Sequence, residues 1–222
     1  MQDLNTIQLI AVWALPVLFA ITLHEVAHGW VARLYGDNTA ASLGRLSLNP
    51  IRHIDPVGTV LVPALLLVMQ TGFVFGWAKP VPVQMNNLRN PRRNMATVAM
   101  AGPAANLVMA AFWAVLLKIA IVAGGQGWMQ GLLYMSAAGI LINLVLMVLN
   151  LLPLPPLDGS RVLNGFVPEA LARKVDRIEP YGLIILIVLL ATGVLGKILL
   201  PLLAISSTTL LAVFGINEVR FF

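Results

Sequence analysis

Hydrophobic residues fill this chain in long unbroken blocks instead of alternating with polar ones. Leu4 to Leu23 carries no charge for twenty residues, the length a helix needs to cross a hydrocarbon core. That helix is expected to run past Arg33 and end near Gly36, with Pro16 as a candidate kink. Residues 37–56 are polar, hold Gly44, Pro50 and Pro56, and include the alternating stretch Leu46-Ser47-Leu48. They predict a loop with one short strand. Val57 to Phe75 is apolar again, and Gly76 to Arg93 is rich in proline, asparagine and arginine. Within the latter, Val81 to Met85 reads as an edge strand or extended chain.

Asn94 to Ala123 is a long apolar run, interrupted by Gly102-Pro103 and carrying Lys118. An uncharged turn, Gly124 to Gly131, leads to the clean span Leu132 to Leu152. Pro153 to Pro180 is a hydrophilic connection. Tyr181 to Phe214 has the length of one tilted helix plus a further half, with the break expected at Lys197 and Pro201. Basic residues flank the 57–75 run on both sides: Arg33, Arg45 and Arg52 before it, Lys79, Arg89, Arg92 and Arg93 after it. A simple crossing would place one cluster outside, against the positive-inside bias. The segment is therefore expected to dip into the membrane and return, helped by Gly58, Pro63 and Gly72, with an ordinary span and one unfavourable loop as the other reading. The fold class that follows is an all-α polytopic membrane protein. It is a bundle of about 4–6 transmembrane helices with a short β or re-entrant insertion after the first.

Composition agrees. Of 222 residues, 59% are hydrophobic and 10% charged, whereas soluble domains carry about a quarter charged residues. The absence of cysteine excludes a disulfide scaffold. A net charge of +5 invites a nucleic-acid partner, but the basic residues lie in short stretches between apolar runs, as in loops facing anionic lipid. No nucleic acid is expected. The first cation is Arg33, so the opening apolar run lacks the basic start of a cleavable signal.

The chemistry lies in the first helix, at His24-Glu25-Val26-Ala27-His28. Imidazoles four residues apart on a helix lie about 40° apart around its axis, so both can face one metal ion. Glu25 can reach a water beside the metal without being a ligand, as in the H-E-x-x-H pattern of zinc hydrolases. Ionisable residues inside a spanning helix cost about 2.5 kcal/mol or more, which marks them as functional candidates. The competing reading is a pair of helix-end histidines near the interface, with Glu25 turned to Arg33. Zinc needs a third protein ligand. Asp37, Asp55, Asp158, Glu169, Asp176, Glu179, Glu218 and His53 are the available residues. Asp158 stands out because Pro153, Pro155 and Pro156 stop the preceding helix just ahead of it, and Gly159 permits a tight turn. On geometry alone, Asp158 reads equally as a ligand or as the cap of a helix beginning at Ser160.

Together these stretches resemble the site-2 protease family of intramembrane zinc metalloproteases. His24 to His28 matches its H-E-x-x-H motif, Asn150 to Gly159 its N-x-x-P-x-P-x-L-D-G motif, and Gly102-Pro103-Ala104-Ala105-Asn106 its small-residue segment. The resemblance implies one Zn2+ per chain on His24, His28 and Asp158, with Glu25 as general base. It suggests Asn150 and Asn106 as substrate or oxyanion contacts. It further implies a core of three transmembrane helices with the metal nearer the cytoplasm, in a multi-pass protein of the plasma or inner membrane. No PDZ domain fits between the central helices, so the chain resembles the compact prokaryotic type. It is expected to form one membrane-embedded peptidase domain over 1–222, with its core at about 7–165 and a C-terminal helical segment at about 180–215. The expected reaction is hydrolysis of peptide bonds in or near transmembrane segments of protein or peptide substrates within the bilayer. His53 is expected to be a solvated loop residue, with a place near the metal as the other reading. Two alternatives stand beside the protease: a metal or ion transporter using the His/Asp cluster, and a catalytically dead scaffold.

Overall fold

The computed structural model describes residues 4–69, 76–217, 219 and 221. Helix α1 spans Thr6–Leu34 and opens on a reciprocal cap. The Asn5 side chain accepts from the Gln8 N–H, and the Gln8 side chain accepts from the Asn5 N–H, each at 2.9 Å. It stops where Gly36 takes φ 109°, a conformation that glycine adopts at little cost. Helix α2 (Pro91–Val122) begins with proline at its first position and runs through Pro103 without ending. Helix α3 (Trp128–Asn150) follows a turn of positive-φ glycines at Gly124, Gly125 and Gly127. Four shorter or later helices complete the described chain beyond it: α4 (Asp158–Phe166), α5 (Glu169–Asp176), α6 (Glu179–Ala191) and α7 (Val194–Val213).

Among the described residues four helices, α1, α2, α3 and α7, are long and apolar enough to cross a membrane, as the expected all-α bundle requires. Helix α2 is central: it packs along α3, α1 and α4, while α7 lies against α3. The main core is Trp113 and Leu117 of α2, Ile140 and Leu144 of α3, and Leu203 and Leu211 of α7. Small residues set the helix spacing there. A Cβ on Gly139 would lie 2.3 Å from the Trp113 ring, so α3 approaches α2 only because that position is bare. The break in the last apolar run falls at Gly193, in the left-handed region at φ 72°, and not at Lys197 or Pro201. The Thr192 hydroxyl bonds back to the Val188 carbonyl, ending α6, and Pro201 is carried inside α7.

Between α1 and α2 the chain forms no strand among the described residues: the short strand expected at Leu46–Leu48 is absent, and of the two readings of Val81–Met85 it is extended chain, not edge strand, that holds over Val81–Gln84. Side chains take the groups that a ladder would use. The Val81 N–H donates to the Glu25 carboxylate and the Gln84 N–H to that of Asp37, at 2.7 and 2.6 Å. At Ser47, the carbonyl accepts from His53 Nε2 and the hydroxyl from the Asn49 N–H. The apolar segment after Asp55 starts as a π-helical turn, Pro56–Leu61, and continues as a helix over Val62–Val68. Its two flanks meet. The Trp77 N–H donates to the Gly58 carbonyl, the Thr59 hydroxyl to the Trp77 carbonyl, and the Lys79 N–H to the His53 carbonyl. The re-entrant expectation also takes in residues 70–75, which lie outside the described residues.

Candidate metal centre

Helix α1 presents His24 and His28 on one face, both buried, with their Nε2 atoms 3.1 Å apart. Asp158, the first residue of α4, brings Oδ2 to 3.2 Å from each of them. The aspartate is not a helix cap. Leu157 occupies that position without a side-chain bond, and the Ser160 hydroxyl donates to the Leu157 carbonyl. Gly159 is needed for proximity and not for a left-handed turn: a Cβ there would sit 2.3 and 2.4 Å from the carbonyl oxygens of Leu152 and Leu151. The proline-rich exit from α3 thus folds α4 back onto its own end and delivers Asp158 to the histidines.

The outer sides of both rings are fixed. His24 Nδ1 lies 2.6 Å from Asn106 Oδ1, and His28 Nδ1 lies 2.7 Å from the Val98 carbonyl oxygen. Both partners are acceptors, so Nδ1 carries the proton in each neutral ring and Nε2 turns its lone pair inward. The Asp158 carboxylate adds a third acceptor oxygen between those two lone pairs. Three electron pairs therefore converge on one point, an arrangement that calls for a cation. Tetrahedral zinc, with ligands at about 2.0–2.1 Å, sets neighbouring ligand atoms about 3.3–3.4 Å apart. The spacing of 3.1 to 3.2 Å here fits it. Among the described residues, this is the one group of three such side chains close enough to hold a metal.

The second helix is shaped around the rings. A Cβ on Gly102 would be 2.5 Å from both His24 Cε1 and His28 Nε2. Asn106, fully buried, donates its amide to the Ala20 carbonyl and to Asn143 Oδ1 while its oxygen faces His24. Asn143, also fully buried, donates in turn to the Gly139 carbonyl. The apolar pattern of α3 conceals Asn143 in sequence; an amide in the middle of an apolar helix is the signal that marks it. Asn150 turns its amide back to the Leu146 carbonyl at 2.9 Å. His53 is 2% exposed, which overturns the solvated reading; no cluster of potential ligands includes it among the described residues. Asp37, Asp55, Glu169, Asp176 and Glu179 are likewise outside the cluster, and Glu218 is not among the described residues.

Glu25 stands on the open side. A cavity of about 130 Å³ adjoins two of the three ligand positions, lined by Glu25, His28, Asp158, Arg161 and the extended segment at Pro80 and Val81. That segment is clamped at its far end by Asp37. Burial alone would raise the Asp37 carboxyl; hydrogen bonds from Thr39, Asn87 and the Gln84 N–H overcome this and hold it below its usual range.

The sequence profile of peptidase family M50 matches residues 117–193, a stretch that includes Asp158. The "Putative zinc metalloprotease" YwhC of Bacillus subtilis (strain 168) is 38% identical over 204 residues, 90% of either chain. The chain belongs to peptidase family M50. Two further putative zinc metalloproteases, both named Rip2, are more distant. That of Mycolicibacterium smegmatis is 29% identical over 181 residues, and that of Mycobacterium tuberculosis (strain H37Rv) is 28% identical over 183 residues. Those alignments take in 81% and 82% of this chain but 66% of each relative. No solved structure matches significantly. As an M50 peptidase with four membrane-length apolar helices, the protein is a multi-pass membrane protein.

Proposed function

We propose that this M50 peptidase is a zinc-dependent endopeptidase that cleaves peptide bonds in or beside transmembrane segments, with its site in one membrane-embedded domain spanning the chain. The observation that carries this is the meeting of His24 Nε2, His28 Nε2 and Asp158 Oδ2, all acceptors, beside a cavity that also holds Glu25. His24, His28 and Asp158 would hold the ion. Zinc, when bound, supplies Lewis acidity that polarises a peptide carbonyl and acidifies water.

The chain's own groups account for the remainder. Glu25 takes the proton of the attacking water and returns it to the leaving amine, as the new C–O bond forms and the C–N bond breaks. The Val81 N–H holds one carboxylate oxygen of Glu25 and leaves the other for that proton. Asn106 fixes the tautomer and angle of His24 from behind, and Asn143 fixes Asn106. This engagement supports an orienting role for Asn106. Placement in the plasma membrane, with the site toward the cytoplasm, is supported by charge: Arg33, Lys79, Arg92 and Arg93 lie near the end that holds the ligands, whereas the 124–131 turn has none.

Glu25→Gln tests the reading. The purified variant should keep one zinc per chain and lose cleavage of membrane-embedded peptides by several orders of magnitude. Transport that survives Glu25→Gln, with no peptide cleavage by the wild type, would favour the transporter instead.

A further inference from the structure

Hydrolysis builds negative charge on the scissile carbonyl oxygen, and two carboxylates already face the cavity where it would develop, Glu25 and Asp158. A preorganised donor aimed at that oxygen is worth more than almost any other single feature of an acyl-transfer site. Neither asparagine suggested by the sequence lines that cavity. Asn150 turns its amide to the Leu146 carbonyl of its own helix, and Asn106 is sealed behind His24. Among the side chains that line the cavity, His28 has given its Nδ1 proton to the Val98 carbonyl and turns a lone pair inward. The others, apart from one, are carboxylates or apolar groups.

The exception is Arg161. It lies three residues after Asp158 on α4, so the two side chains share one helix face. Its one charged partner among the described residues is Glu179 at 3.7 Å, beyond hydrogen-bond reach, and its side chain is 46% exposed. The guanidinium is always charged, lines the cavity, and is paired with Glu179 only at a distance longer than a hydrogen bond.

We infer that Arg161 is a catalytic residue, the side-chain donor that meets the charge developing on the scissile carbonyl oxygen and then the carboxylate of the released product. The inference rests on the metallopeptidase reading and adds a residue to it. The planar fork suits both oxygens of that product, which an ammonium group would bind only as a point charge. Glu179, at the start of α6, competes for the same guanidinium and parks it between turnovers.

The test uses the full chain in detergent, a quenched-fluorescent transmembrane peptide that the wild type cleaves, and a peptidyl phosphinate carrying the anionic oxygens of the transition state. Arg161→Gln should lower kcat by about 10²-fold, leave KM within about threefold, and weaken phosphinate binding by a factor similar to the kcat loss. Zinc should stay at one per chain. Glu179→Gln should keep zinc and bind phosphinate at least as tightly as the wild type. Wild-type kcat and phosphinate affinity in Arg161→Gln would overturn the assignment, as would a rise in KM alone. Should Arg161→Gln lose zinc, Arg161→Lys decides. Retained zinc with phosphinate affinity between the other two supports the inference, and lost zinc overturns it in favour of a purely structural arginine. A wild type without zinc, or an active Glu25→Gln, would instead overturn the metallopeptidase reading itself.

Discussion

Asn106 Oδ1 lies 2.6 Å from His24 Nδ1, joining residues 82 positions apart in a fully buried contact. The amide end of Asn106 is held by the Ala20 carbonyl and Asn143, so its oxygen cannot turn away. Replacing Asn106 by leucine removes the acceptor that keeps the His24 proton on Nδ1. Loss of such an outer partner typically weakens metal affinity by about 10–100-fold. A chelator competition for zinc should show that loss in Asn106→Leu, and a smaller one in Asn143→Leu, which acts one bond further out. Equal affinity in Asn106→Leu and wild type would show that packing alone orients the ring.

Gly102 offers a steric version of the same experiment. A methyl group there would press to 2.5–2.6 Å on His24 and His28 ring atoms, with the backbone of α2 behind it. Gly102→Ala should therefore displace the imidazoles and lower zinc occupancy, although alanine suits a helix better than glycine does. Gly131→Ala in α3 is the control, because nothing lies within 4 Å of its added Cβ. That variant should bind zinc normally. Zinc titrations on the two proteins separate helix propensity from the site.

The sequence exposed what chemistry writes in residue type: three ligand candidates and a base, spaced by a helical turn or set just after prolines. The four membrane-length helices were equally legible, because apolar runs of that length have few other uses. What it hid depends on pairing across the chain. The partners of Asn106 are invisible in sequence, because an asparagine in a small-residue segment shows none until α1 is packed on α2. Edge strand and extended chain are not told apart in sequence at Val81–Met85, because proline-flanked chain reads the same whether its N–H groups meet a neighbouring strand or, as here, the carboxylates of Glu25 and Asp37. The break at Gly193 was misplaced to Pro201 because proline is the louder breaker in sequence, whereas α7 carries it within the helix.

Asp37 yields a prediction with a definite sign in pH. Its carboxylate accepts from Thr39, Asn87 and the Gln84 N–H, and its folded pKa is held below the unfolded value of about 3.9. A depressed acid contributes stability above its unfolded pKa and loses that contribution as pH falls through the folded one. In Asp37→Asn, an amide N–H or a weaker acceptor would face the Gln84 N–H, at a cost of about 1–3 kcal/mol for a buried donor left unmet. Thermal unfolding in detergent should show the full gap between wild type and variant at pH 7. The gap should narrow below about pH 4. A gap that is constant across this range would mean that the Asp37 charge contributes nothing.

The extended segment can be tested at the atom where it touches the proposed base. The Val81 N–H is the hydrogen bond donor to Glu25 Oε2 at 2.7 Å, and Val81 itself is buried against Gly29. Val81→Pro deletes that donor and puts a ring carbon in its place, so the carboxylate loses the bond that aims it. Val81→Ala keeps the N–H and removes only side-chain packing. The metal ligands are untouched in both, so zinc content should stay at one per chain. Misplacing a catalytic group by about 1 Å costs about 10²-fold, and Val81→Pro should lower kcat by an amount approaching that. Val81→Ala should stay within a few-fold of wild type, measured with a fluorogenic transmembrane peptide. Equal losses in the two variants would assign the effect to packing of the segment, and wild-type cleavage by Val81→Pro would mean that Glu25 needs no partner at this position.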